Sequence, residues 1–163
     1  MPKESLSIPT LASVSAHDFK NNPTLHKEIF GPFSLLVECK DQHEMIEVID
    51  KLEGQLTGTI MANSKDLEDY NELSDHLENK VGRLIYNGAP TGVEVCHSMH
   101  HGGPFPASTD ARFTSVGTKS IQRFVRPICF QDAPQHLLPE SLRDENPLAL
   151  FRLVNGVITQ AKI

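Results

Sequence analysis

The chain lacks the features that mark several whole classes of protein. No two of its 15 Lys and Arg residues stand side by side, and 21 acidic residues outweigh them to a net charge of −6. Such a balance argues against nucleic acid or an anionic membrane as partner, because both need a basic face. No apolar stretch approaches the roughly 18 residues of a membrane span. The opening residues, MPKESLSIPT, lack the apolar core of a secretory leader. Cysteines are few and widely spaced (Cys39, Cys96 and Cys129), and their number is odd. That fits a reducing cytoplasm better than a disulfide framework. No G-x-G-x-x-G or Walker-type loop is present, so no self-contained phosphate cradle is expected. No G-x-S-x-G elbow is present either, which sets aside a serine hydrolase of that type. Tryptophan is absent, and proline is absent from the whole stretch 33–89.

What remains is a globular composition, 39% apolar and 22% charged over 163 residues. That is enough for one ordinary domain with a core. The proline-free middle is where regular structure is expected. FSLLVEC (33–39) reads as a buried strand and DQHEMIEVIDKLEG (41–54) as an amphipathic helix. In that helix Asp41 is the expected N-cap and Glu44 completes a capping box, with Gly54 at the end. Met45, Ile46, Ile49 and Leu52 form its expected apolar face. QLTGTIMA (55–62) reads as a second strand, weakened by Gly58. SKDLEDYNELSDHLENK (64–80) reads as a helix capped by Ser64, with Leu67, Tyr70, Leu73 and Leu77 as its buried stripe. VGRLIYN (81–87) is a third strand. The order predicts an α/β fold, a β-α-β-α-β layer with parallel pairing.

The flanks differ in character. Residues 1–32 read as an extended arm with a short strand, Leu11 to Val14, and turn chemistry at Asn21-Asn22-Pro23. Residues 88–117 hold five of the ten glycines, three prolines and three histidines. So long a stretch without periodicity points to a functional loop. TKSIQRFVRPICF (118–130) reads as a helical turn passing into an edge strand, because Pro127 removes a ladder donor. Near the end, Asn146-Pro147 is a cap or a turn, and Asn155-Gly156 between apolar pairs is a two-residue hairpin signal. The expected organisation is an arm (1–32), a partial catalytic region (33–117) and a terminal strand with a tail (118–163).

Two places hold candidate chemistry. KEIFGPF (27–33) sets the carboxylate of Glu28 beside Gly31-Pro32, the joint that launches the first strong strand. It is either an acid next to a turn or a ligand grip at the mouth of a sheet. CHSMHHGG (96–103) offers Cys96, His97, His100 and His101. A structural metal site normally needs two separated ligand pairs, and no second pair exists, so no metal is expected. Cys39 and Cys129 read as inert, packed residues.

KEIFGPF followed by strand, helix, strand, helix and strand resembles the late part of the aldehyde dehydrogenase catalytic domain. GGPFPASTDARFTSVGTKSIQRFVRPICF (102–130) is similar to the end of the same superfamily. NGAPTGVEVC, GGPFPASTDARFTSVG and RPICFQDAP resemble its α-ketoglutaric semialdehyde dehydrogenase branch. The likeness runs from about Ile8 to the end. It implies an NAD(P)-dependent oxidation of a semialdehyde through thiohemiacetal formation, hydride transfer and thioester hydrolysis. It also implies that the nucleophilic cysteine, the general-base glutamate and the Rossmann-type domain lie upstream of KEIFGPF. The expectation is therefore a C-terminal piece without catalytic residues of its own, inactive alone, with NAD or NADP bound only in the intact enzyme.

The resemblance assigns Glu28 to the nicotinamide ribose and Phe30 to the nicotinamide ring. The plainer reading of Phe30 is a core residue. Val95, Met99 and Phe105 are implied for the aldehyde tunnel, and Arg112 for a substrate carboxylate. The plainer reading of Arg112 is a loop anchor. QRFVRPICF resembles an oligomerisation strand, so the expected partners are the N-terminal remainder of the enzyme or another copy of the chain. The rival expectation is a non-catalytic α/β binding or interaction module that reuses the fold.

Overall fold

Strand β1 (Thr10–Ser15) pairs in parallel with β2 (Phe33–Glu38) along their full lengths, from Thr10 opposite Phe33 to Ser15 opposite Glu38. The computed structural model describes residues 7–92 and 94–163. Between these strands lie helix α1 (Ala16–Asn21) and a 3-10 turn, Pro23–His26. The supposed arm is thus not extended. Ser15 caps α1 by accepting from the Asp18 amide, and Asn22 caps the turn by accepting from Thr24. These short polar side chains take up the free amides of each helix start, which lets two turns of helix form in so short a span. Ala16 and Phe19 are buried and pack with Val48 as the centre of the core, joined by Val14, Leu35 and Val37. Burying Phe19 contributes about 1.5–3 kcal/mol.

Helix α2 (Gln42–Lys51) follows β2. Asp41 caps it as expected. Glu44 reaches back one residue further than a capping box requires and accepts from the Lys40 amide. Its core face is centred on Val48 and Ile49, while Met45 is 41% exposed. Gly54 does not end this helix, which is capped at Leu52. Gly54 instead allows a close backbone crossing described below.

Strand β3 (Gln55–Ile60) pairs in parallel with β4 (Val81–Tyr86). The helical stretch between them is two helices, α3 (Ser64–Asp69) and α4 (Asn71–Glu78), broken at Tyr70. The cap of α3 is Asn63 rather than Ser64, and Asn63 forms a full capping box with Asp66. Tyr70 therefore leaves the stripe and is 44% exposed, whereas Leu73 of α4 is buried. Gly58 has a packing role. A Cβ there would stand 2.8 Å from the Val81 side chain and 3.1 Å from that of Leu77.

The expected single layer is not continuous. β1-β2 and β3-β4 are separate two-stranded sheets, and no ladder joins β2 to β3 among the described residues. Each parallel pair closes around its own crossover, and α2 packs against both α1 and α4. FSLLVEC is not buried on both faces either. Ser34, Leu36 and Glu38 are exposed while Phe33, Leu35 and Val37 are partly covered. Its continuous apolar run is that of a strand suited to cover on two sides.

The chain divides into two compact units, one ending at Val125 and the other running from Arg126 to Ile163. In the second, β5 (Arg152–Val154) and β6 (Val157–Thr159) form the expected antiparallel hairpin. Asn155 and Gly156 both take positive φ, 48° and 85°, as a type I′ turn demands. Asn146 is a turn residue and a buried fastener. Its amide group donates to the Leu150 and Gln160 carbonyls and accepts from the Leu150 N–H. The anticipated strand in 118–130 is absent. A 3-10 turn, Ser120–Phe124, is followed by residues with no ladder partner among those described. A strand needs a neighbour to hydrogen-bond with, and Pro127 has no N–H to offer. Cys129 is accordingly exposed, not packed. No helix among the described residues is long and apolar enough to cross a membrane.

Candidate functional site

The 3-10 turn before KEIFGPF fixes where this segment leaves the core. The Nε2–H of His26 donates to the Phe19 carbonyl at 2.7 Å, and the two rings lie 4.4 Å apart. From there Lys27 to Gly31 run along the surface. Gly31 takes φ +152°, a conformation that side-chain-bearing residues rarely adopt, and Pro32 follows. The carbonyl of Pro32 accepts from Thr10 and starts the β1-β2 ladder. The turn reading of this joint thus holds.

The same joint displays its side chains. Phe30 is 97% exposed, so it is not a core residue. None of the ion pairs among the described residues involves Glu28 or Lys27. Both residues line two hollows. One, of about 600 Å³, is walled by Leu25, Phe30, Phe33 and Leu35. The other, of about 770 Å³, is walled by Glu53, Gln55, Leu56 and Pro106. The second hollow brings together the two blocks, KEIFGPF and GGPFP, that lie far apart in sequence.

GGPFP is held there by backbone crossings that only glycine permits. A Cβ on Gly82 of β4 would lie 1.7 Å from the Gly102 carbonyl oxygen, and one on Gly54 would lie 2.0 Å from that of Pro104. Gly54 donates its N–H to the Phe105 carbonyl at 3.2 Å. Further along, the buried Thr114 hydroxyl accepts from the His101 amide at 2.8 Å and donates to the Val116 carbonyl at 2.7 Å. Ser108 donates to the Gly103 carbonyl at 2.6 Å. The loop carries little regular structure, yet its backbone polar groups are met by its own side chains.

The residues implied for substrate contact are not gathered at one place. Met99 lines a hollow of about 340 Å³ beside β4, with Arg83, Cys96, Ser98 and His100. Val95 and Phe105 are 66% and 78% exposed and do not line that hollow. Arg112 is engaged elsewhere. Its guanidinium grips Asp110 at 2.6 and 2.9 Å, and its own N–H donates to the same carboxylate at 3.0 Å. These bonds hold the Asp110 carboxyl down to about 2 and push Arg112 upward. Arg112 also lies over the Phe113 ring, 5.4 Å from its centroid. This geometry is that of a loop anchor.

Arg83 was not singled out from the sequence, although a lone cation inside the apolar strand VGRLIY was a usable signal. Burial, first, and nearby Glu44 raise the pKa of the Cys39 thiol, which disfavours the reactive thiolate. Cys96 stands 3.3 Å from the Ser98 hydroxyl. Among the described residues no three His, Cys, Asp or Glu side chains gather as metal ligands.

Glu28 and Phe30 fit a nicotinamide ribose and its ring in chemistry. An ionised carboxylate accepts from a diol, and an exposed aromatic face suits a flat ring.

Comparison with known proteins agrees with the two blocks. The Aldehyde dehydrogenase family profile matches residues 9–125. The chain is 52% identical over 139 residues to the alpha-ketoglutaric semialdehyde dehydrogenase of Acinetobacter baylyi, covering 85% of this chain and 26% of that protein. It is 50% identical over 146 residues to alpha-ketoglutaric semialdehyde dehydrogenase 2 of Azospirillum brasilense, covering 90% of this chain and 28% of that protein. The chain therefore spans about a quarter of the length of these curated relatives. On the match over 9–125 and these identities, the chain belongs to the aldehyde dehydrogenase family.

Proposed function

We propose that this chain works as the cofactor- and substrate-contacting C-terminal part of an NAD(P)-dependent enzyme that oxidises α-ketoglutaric semialdehyde to the acid. The observation that carries the reading is the pair of relatives at 52% and 50% identity, both semialdehyde dehydrogenases. The bare carboxylate of Glu28 and the bare ring of Phe30 support it, since both stand at the rim of hollows without a protein partner. When bound, NAD(P)⁺ supplies the hydride acceptor. Glu28 would hold its ribose by accepting O–H donors, each such bond contributing roughly 1.5–3 kcal/mol. Phe30 would shelter the nicotinamide ring from water. No residue of this chain is assigned as nucleophile or base. The chain alone is inactive in this reading, and its working partner is the remainder of such an enzyme or a further copy of itself. Its unpaired cysteines suit a cytoplasmic setting.

The test is a chimera in which this chain replaces the matched region of the Acinetobacter baylyi relative. NAD(P)H formation from α-ketoglutaric semialdehyde is expected from the chimera and not from the chain alone. Glu28→Gln in the chimera is expected to raise the KM for NAD(P)⁺ several-fold. A folded but inactive chimera, or turnover by the chain alone, would falsify the reading.

A further inference from the structure

A semialdehyde of a dicarboxylic acid carries a fixed anion, and a site for it needs a cation that is not already spent. Arg112 is spent on Asp110. Arg83 is not. It sits in β4, half-buried, and donates to the Pro90 carbonyl at 2.8 Å and, more weakly, to that of Gly92 at 3.4 Å. A guanidinium has five donors, so most of its capacity is unclaimed. No carboxylate among the described residues lies within 4.0 Å of it. Its Nε is shut off from solvent and has no partner. A cation stripped of water on one side and unpaired attracts an anion more strongly than an exposed one.

The surroundings suit such a ligand. Arg83 opens onto the hollow of about 340 Å³ that Ser98, Met99 and His100 also line. Ser98 offers a hydroxyl and Met99 a pliant apolar wall for a short carbon chain. Glu94 also lines this hollow, as its one acidic residue, and it is exposed. The plainer role, tying the chain around 90–92 to β4, uses only two donors. Arg152 shows what a pure anchor looks like: it donates to three carbonyls, of Arg143, Asp144 and Ala161.

We infer that Arg83, rather than Arg112, is the residue that recognises the remote carboxylate of the substrate, in the hollow beside β4. The inference rests on the semialdehyde reading for its substrate class, but its test does not need turnover. The 163-residue chain is titrated with glutarate, a five-carbon dicarboxylate, and with uncharged dimethyl glutarate, at low salt, by NMR. The Arg83 Nε–H resonance is expected to shift saturably with glutarate and not with the ester. Arg83→Met is expected to weaken binding at least tenfold and Arg83→Lys about threefold or more, because Lys keeps charge without the planar fork. Arg112→Met is expected to bind as the parent does. If Arg83→Met fails to fold, the parent's Nε–H signal still decides. Glutarate binding that leaves this signal still, or no binding at all, overturns the assignment. Binding lost in Arg112→Met but kept in Arg83→Met also overturns it, while leaving the semialdehyde reading intact. Saturation at Arg83 in a chain whose chimera oxidises no semialdehyde has the reverse meaning: the site stands and the functional reading fails.

Discussion

The two motif-bearing segments are built in opposite ways. The loop from His100 to Val116 is pressed against β3 and β4, with carbonyls where any side chain at Gly54 or Gly82 would be. Its polar groups are answered by Thr114, Ser108 and Ser115. KEIFGPF is anchored at its two ends, by His26 and by the Pro32 carbonyl, and bare between them. The loop's shape is a property of this chain. The segment's side chains gain partners only from something that approaches them. Irregular backbone is thus no guide to rigidity. The contacts that answer its polar groups are.

Four substitutions grade this contrast. Gly82→Ala drives a methyl group into the Gly102 carbonyl and is expected to cost about 3 kcal/mol or more, read as a lower urea midpoint. Gly92→Ala, with open space around it, is the control and is expected to stay within about 0.5 kcal/mol. An equal response at both positions would break the contrast. Thr114→Val keeps the shape but strands the His101 amide and the Val116 carbonyl, at about 1–3 kcal/mol, checked in the same unfolding series.

Asp110 provides a pH test. Its folded pKa lies near 2, below the ordinary carboxylate value of 3.8, so its contribution is present above the ordinary value and lost as pH falls through about 2. An NMR titration of its carboxyl carbon is expected to find that low midpoint, and Arg112→Met is expected to return it toward the ordinary value. The smallest effect belongs to the bare segment. Phe30→Ala is expected to change stability by less than about 0.5 kcal/mol, because its ring is 97% exposed. A larger loss would show that the ring is packed in solution.

Local signals were legible where the chemistry is local. Asp41 as a cap, the Asn155-Gly156 hairpin and the Gly31-Pro32 joint depend on a few adjacent residues, and they stand where the sequence placed them. The break at Tyr70 was not legible. The apolar spacing continues through it, and the choice of Asn63 as cap redirects the first turn. Gly54 looked like a helix stop because a terminal glycine and a crossing glycine are written the same way. The pairing of β2 was also out of reach, since an apolar run specifies burial and not its neighbour.

The same division applies to the site. The sequence by itself determined the family resemblance, the identity of Glu28 and Phe30 as its marker residues, and the need for a cation if the substrate carries a carboxylate. These follow from residue type and order. Only the tertiary structure decided which cation is free, because Arg112 and Asp110 neutralise each other while Arg83 ends on two carbonyls. Only it decided that GGPFP meets KEIFGPF across a shared hollow. Both outcomes depend on distances between groups remote in the chain, and those distances are set by how the backbone packs at Gly54 and Gly82.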